Sequence, residues 1–546
     1  MMKNDRSNII DSAFDAKYTD QLLPEYRNNP LIEALPPIWS EEKVIDMLRT
    51  YVPYEPGERL LEPELRGHSV EKLFHIFEPL DKHLELEQKL SRVIRQGYIG
   101  RSPLSPEFAR TLQENYRVID NGSYEIPVHC EVGTSALSFA VIGYSGVGKS
   151  KGTEKLLKLY PKLLFHTNYK EIELNLKQIP WIKIDCPFNG TLSGLCYSFF
   201  EEVDKIIGSD NYSRVKRQRP NIDILLGQMA QTAYLHCLGV LVVDEIQRLK
   251  KAKSENSEQM INFFVSLVNR MNVPVVLIGT AKAKAIFQGE FTPARRLTGQ
   301  GNVIWQRMED DELWDLFIKS IWKYQWTDEE SPLTEELGHT IYEESQGIID
   351  VAIKIYAIAQ WELIVAGGGP ITPDFLRKIC RDNLQLIRPM LDALKSNNIK
   401  KIAQYEDIAP LEIEVIRDRY LALIKQNAIK KNSSNKTKEV IEQLTTRLVN
   451  VGIQTAKARE AVQAAIENSH SGNTMEEIAS KALDLALSLD RKPGGKQDKK
   501  PIEGKKEKPK EGKRSTTKRD VKSDQEAYEE MTGEGKIKPP LGDILK

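Results

Sequence analysis

The sequence predicts an α/β fold: a parallel sheet flanked by helices, continued by a helical lid, a helical C-terminal part and a disordered tail. Three observations predict it. A glycine-rich loop of the phosphate-binding type lies between an apolar run and a helical stretch. Four further short β-branched runs alternate with helical patterns, the arrangement that builds a parallel sheet. Beyond residue 306 the apolar periodicity is helical only.

Taken in order, residues 1–85 are rich in proline and aromatics (LLPEYRNNPLIEALPPIW, YVPYEPGERLLEPEL) and read as an irregular partner-docking region with short helices. Residues 86–305 hold LSFAVIG, IPWIKID, VLVVDE, VPVVLIG and NVIWQ between helical patterns and read as the α/β core. Residues 306–400 (ELWDLFIKSIWKY, VAIKIYAIAQWELIV) read as the lid. Residues 401–490 are helical again, interrupted by the polar linker KKNSSNKTK. Within them, 436–488 reads as three short amphipathic helices, either a small bundle for protein contact or an extension of the lid. Residues 491–546 lack a core-forming pattern and read as a basic disordered linker ending in the apolar motif PPLGDILK.

Charge and composition exclude several classes. Lys and Arg number 77 against 78 Asp and Glu, so net charge alone points to no partner. The distribution does: residues 491–522 carry 14 basic against 5 acidic side chains, behind a mildly acidic body. No run of 18 apolar residues exists, and the N-terminal stretch lacks the apolar core of a secretory signal, so no membrane association is expected. Five cysteines without a C-x-x-C pair argue for reduced thiols and a cytoplasmic protein. The eight histidines show no metal-ligand spacing.

The chemistry begins at Gly143-Tyr-Ser145-Gly146-Val147-Gly148-Lys149-Ser150, which fits G-x-x-x-x-G-K-[ST] after the apolar run LSFAVI. Its glycines let backbone N–H groups turn around a phosphate at a helix N-terminus. Lys149 then reaches the β/γ oxygens of ATP and the Ser150 hydroxyl ligates Mg²⁺. Ninety-five residues after Lys149, VLVV ends in Asp244-Glu245. An Asp at the tip of a buried strand supports the metal shell, and the adjacent Glu polarises an attacking water. Together these predict ATP hydrolysis. The run VVLIG is followed by Thr280, either a sensor that orients the water or an ordinary strand-capping residue. Arg295 and Arg296 precede the next strand, where one of them reaches a neighbouring subunit's γ-phosphate or both are simply solvated.

This order of motifs resembles the AAA+ P-loop ATPases, and finer segments narrow the resemblance. YRNNPLIEALPP (26–37), RQGYIGRSP (95–103), LVVDEIQ (241–247), SQGIID (345–350) and PMLDAL (389–394) look like TnsC, the AAA+ regulator of heteromeric bacterial transposons, related to TniB and MuB. The resemblance covers about residues 20–410. It implies ATP-bound subunits that assemble as a ring or filament on double-stranded target DNA and connect a target-selection protein to transposase subunits. It also implies that Lys149 and Ser150 contact nucleotide and Mg²⁺, that Asp244 supports the metal, that Glu245 is the catalytic base and that Thr280 is the sensor. One departure stands out: where many AAA+ lids present an arginine three residues after the glycine opening the sensor helix, Gly347 is followed by Asp350, with Lys354 one turn on.

A ring around DNA needs loops that touch phosphate. Asn189 and Thr191 offer hydrogen-bond donors after the second strand, and Lys250, Lys251 and Lys253 offer charge after the Asp244 strand; each is otherwise a solvated loop. Two other readings remain open at this point. One is a replicative helicase loader, and the other is a signalling ATPase whose nucleotide state gates oligomerisation without DNA.

Overall fold

The computed structural model describes residues 13–120, 138–251, 257–283, 299–398, 401–402, 413–468 and 474–490. The chain divides into two compact units, Met1–Thr437 and Lys438–Lys546.

The first unit is built on a five-stranded parallel sheet. Its strands are β2 (Phe139–Gly143), β5 (Trp181–Asp185), β6 (Val240–Asp244), β7 (Val275–Gly279) and β8 (Val303–Trp305), in the spatial order β5-β6-β7-β2-β8. All five apolar runs of the sequence become these strands. They read as near-continuous apolar runs because parallel strands are covered on both faces. The period of two then sorts the side chains. Phe139, Val141, Val240, Val242, Val276 and Ile278 enter one core, whereas Ala140, Ile142, Leu241, Val243, Val275 and Leu277 enter the other.

Different parts of the chain cover the two faces. One face carries helices Leu192–Ile207, Ile222–Leu235 and Ser257–Met271, through residues such as Phe199, Met229 and Phe264. The other carries helix Asp81–Ile99 together with Tyr26, Leu31, Ile32, Leu35, Val44 and Leu48. These early residues are therefore part of the sheet's own core. A second, three-stranded sheet pairs β1 (Ala13–Asp15) with β3 (Leu163–Tyr169), and β3 with β4 (Ile172–Gln178).

The lid is helical, as the periodicity predicts: Glu312–Trp322, Glu335–Ser345, Ile349–Ala366, Pro373–Asn383 and Arg388–Lys395. Helix Ile349–Ala366 is its centre. Thirteen of its residues are buried, so it is covered on every side and not along one stripe. The stretch KKNSSNKTK differs from its expected role as a break, because it lies inside one helix, Ile413–Asn450. That stretch contains neither Gly nor Pro, and Lys, Asn, Ser and Thr each cost a helix only a few tenths of a kcal/mol. The second unit contains helices Thr455–Glu467 and Met475–Asp490, which pack with Leu444 and Leu448 around Ala458, Ala461, Val462, Ala465, Ala482 and Ala486. The tail motif lies outside the described residues.

Candidate functional site

The C-terminal ends of β2, β6 and β7 open onto a cleft of about 690 Å³. In open parallel sheets this edge is where ligands bind, because loops and helix N-termini converge there.

Strand β2 is buried throughout and ends at Gly143. A Cβ there would collide with the Trp305 carbonyl of β8, so only glycine lets the two strands stay paired. The following loop turns through Gly146 (φ +80°) and Gly148 (φ +101°), conformations that glycine adopts without steric cost. Helix Lys149–Leu157 starts immediately afterwards and aims its N-terminus at the cleft, the geometry that favours an anion. Lys149 is buried, and its Nζ donates to the carbonyl oxygens of Gly143 (2.9 Å) and Tyr144. Ser145, Gly146, Val147, Gly148 and Ser150 line the same cleft.

Asp244 and Glu245 enter from β6. Asp244 is 2% exposed. Its Oδ1 accepts from the Glu245 N–H at 2.8 Å, and its Oδ2 lies 3.2 Å from Lys183 Nζ, which also pairs with Asp185 at 2.8 Å. Burial opposes the charge on Lys183, and the two carboxylates overcome that, holding its pKa above the usual lysine value. Ser150 and Asp244 are hard oxygen donors on one cleft, and among the described residues no cluster of three or more His, Cys, Asp or Glu forms a metal cage. That donor set suits a Mg²⁺ shared with phosphate oxygens.

Glu245 stands at φ +59°, the left-handed region, which turns its side chain out of the strand direction and into the cleft. Thr280 follows β7 and is 6% exposed, and among the described residues its hydroxyl has no hydrogen-bond partner. A buried, unpaired hydroxyl on a polar cleft is the state expected of a group that meets a ligand.

The lid closes the remaining side. Gly146 lies under Ile348 and Asp350, and the Asp350 N–H donates to the Gly146 carbonyl at 3.1 Å. Lys354 is buried, and its Nζ pairs with Asp350 one turn back at 2.7 Å. Phe317, Ile321, Ile349 and Ile353 make this side apolar. Facing them are Phe74, Ile76 and Phe77 from the N-terminal region, with His83. The His83 ring sits edge-on to Phe77 and Trp305, and its Nδ1 accepts from the Leu80 N–H at 2.9 Å. Burial pushes its pKa down to about 4. Sequence reasoning missed this apolar half. No motif marks it, although the aromatic richness of 1–85 was the available signal.

Asn189 and Thr191 are not among the residues that line the cleft. Asn189 is exposed, and its Oδ1 accepts from the Thr191 N–H at 3.3 Å. The Thr191 hydroxyl caps helix Leu192–Ile207 by accepting from the Gly194 N–H at 3.2 Å. Lys250 and Lys251 end the turn Ile246–Lys251. Lys253, Arg295 and Arg296 lie outside the described residues.

Residues 132–287 match the family model of an AAA domain. No curated protein matches the chain. Among solved structures, the chain is similar to the Aeropyrum pernix ORC1 protein in complex with DNA, at 12% identity over 70% of this chain and 82% of that one, with a TM-score of 0.32. It is also similar to Cdc6p from Pyrobaculum aerophilum (13% identity, 60% and 98% coverage, TM-score 0.33). A Walker-type ATPase of Pyrococcus abyssi is a third (13%, 58% and 89%, TM-score 0.32).

Proposed function

We propose that this chain, whose AAA domain holds a P-loop nucleotide cleft, is an ATP-hydrolysing regulator of DNA transposition. In this reading it assembles on target duplex DNA as a ring or filament and bridges a target-selection protein to the transposase. The observation that carries the hydrolytic part is convergence. Lys149, Ser150, Asp244, Glu245 and the unpaired hydroxyl of Thr280 all line one cleft. The transposition part rests on the five TnsC-like segments, which lie outside as well as inside the nucleotide motifs.

In the proposed reaction, water attacks the γ-phosphorus of ATP in line with the bond to the β-phosphate oxygen. The new P–O bond forms as that bond breaks, giving ADP and phosphate, and Glu245 accepts the water's proton. Lys149 and the backbone N–H groups of the loop hold the phosphate charge. Ser150 and Asp244 would hold Mg²⁺, which neutralises charge on the phosphates when bound. Thr280 offers its hydroxyl to the attacking water or the γ-phosphate. Arg295 or Arg296 completes the site from a neighbouring subunit, which ties hydrolysis to assembly. Lys250, Lys251 and Lys253, with Asn189 and Thr191, meet DNA phosphates, so affinity falls steeply with salt while base sequence matters little.

Phosphate release and nucleotide binding, measured side by side, test the cleft. Glu245→Gln should bind ATP as the parent does and lose turnover by about 100-fold or more, the scale of a removed general base. Lys149→Ala should lose binding and turnover together. Normal turnover by the Glu245 variant would remove the base assignment, and absent turnover by the parent chain would remove the hydrolytic reading.

A further inference from the structure

Glu245 is held by two residues that follow it in the chain. Gln247 Nε2 donates to Glu245 Oε2 at 2.8 Å, and the Gln247 Oε1 accepts from the Thr280 N–H at 3.1 Å. The orientation of this carboxamide is dictated chemically: a carboxylate requires the NH₂ end and a backbone N–H requires the oxygen. One side chain therefore links the ends of β6 and β7. Its fit is tight, since a Cβ on Gly279 would lie 2.9 Å from Gln247 Oε1. Arg248 is the second holder. Its Nε lies 3.4 Å from the same Glu245 Oε2, and its Nη1 donates to the Cys186 carbonyl at 3.2 Å.

Cys186 opens the loop that carries Phe188, Asn189 and Thr191, and this loop is locked to Arg248 at a second point. Gly190 sits at φ +68° so close to the Arg248 backbone that a Cβ would collide with its carbonyl oxygen. Phe188 is 81% exposed and lines the nucleotide cleft, while Gly190 is buried against the Glu245 turn.

We infer that Gln247 and Arg248 are positioning residues for Glu245, and that the loop 186–191 sets their position. Gln247 fixes the carboxylate against Thr280, where water is to be activated. Arg248 carries any displacement of the loop to the same carboxylate oxygen. A duplex engaging the loop thus adjusts the base without touching nucleotide. The last step rests on the proposed DNA-binding function, whereas the role of Gln247 does not.

Steady-state ATP hydrolysis by the full chain, with and without linear duplex, tests both parts. Gln247→Met keeps the length of the side chain and removes both hydrogen bonds. It should lower DNA-free kcat by about ten-fold with KM within about two-fold, the pattern of a lost transition-state arrangement. Gln247→Glu retains the acceptor for Thr280 and sets a like charge against Glu245, so kcat should fall at least as far. Arg248→Ala should leave duplex affinity unchanged and bring the ratio of duplex-stimulated to basal kcat close to one, with Arg248→Lys restoring part of it. Thermal midpoints and binding of a fluorescent ATP analogue identify variants that fail to fold. Unchanged kcat in both folded Gln247 variants, or a loss confined to KM, would overturn the positioning role. A full stimulation ratio in Arg248→Ala would overturn the coupling. If the parent chain neither binds duplex nor responds to it, the DNA-binding reading and the coupling built on it fall together, and the DNA-free Gln247 arm still decides the rest.

Discussion

His83 gives a prediction whose sign and size both follow from its surroundings. The imidazole is buried between Phe77, Trp305 and the P-loop helix, where a Cβ on Gly152 would come within 2.6 Å of it. Burial lowers its pKa from 6.5 to about 4 in the folded chain. Above pH 6.5 both folded and unfolded states are neutral there, and the site contributes its full stability. As pH falls through 6.5 the unfolded state binds a proton that the folded state refuses, so stability declines until the folded value near 4 is reached. At pH 4.5 the fall spans about 2 units, and at about 1.4 kcal/mol per unit it costs about 3 kcal/mol. His236, depressed to the same value, adds a parallel loss, so the site is isolated by difference. His83→Asn keeps an acceptor for the Leu80 N–H and cannot take up the proton. Urea denaturation of both proteins at pH 7 and pH 4.5 gives the comparison. The variant should start less stable at pH 7 from lost packing, yet lose about 2–3 kcal/mol less on acidification. Equal acid losses in the two proteins would refute the reasoning.

Three further outcomes follow from the same geometry. Gly143→Ala should destabilise the chain by about 3 kcal/mol or more, read as a lowered urea midpoint, because the new methyl meets the Trp305 carbonyl across the β2–β8 pair. A chain lacking residues 1–85 should be insoluble or unfolded by circular dichroism, since Leu31, Ile32, Val44 and Leu48 form one core with Phe139 and Val141. The 1–522 chain should retain ATP-dependent DNA binding and lose pull-down of the transposase, because it lacks residues 523–546, which end in the apolar motif, and keeps every nucleotide residue and the basic linker. Undiminished transposase capture would move the partner contact onto the ATPase body.

The sheet was legible because the parallel strands are near-continuous apolar runs, and the phosphate loop because its spacing and context are both demanding. Strands β3 and β4 were not. β3 (LLFHTNY) turns polar after its first three residues, and β4 (IELNLKQ) does alternate apolar with polar residues from Ile172 to Lys177, a weaker signal than the apolar runs of the parallel sheet. The role of residues 26–48 in the core was hidden for a different reason. Prolines break their periodicity, while their burial depends on contact with strands about a hundred residues away. At the site, the Asp-Glu pair announced itself as chemistry. The left-handed turn at Glu245 and the bridge from Gln247 to Thr280 are tertiary facts, and the string DEIQ does not distinguish them from an ordinary strand end.

The central claim is that nucleotide state governs assembly on duplex DNA. Electron microscopy of the full chain on linear duplex, with a non-hydrolysable ATP analogue in one arm and ADP in the other, tests it most directly. The account predicts rings or filaments on DNA with the triphosphate and dispersed protein with ADP, because Arg295 or Arg296 would need a neighbour's γ-phosphate to engage. Equal assembly in both nucleotides, or none on duplex in either, would contradict it.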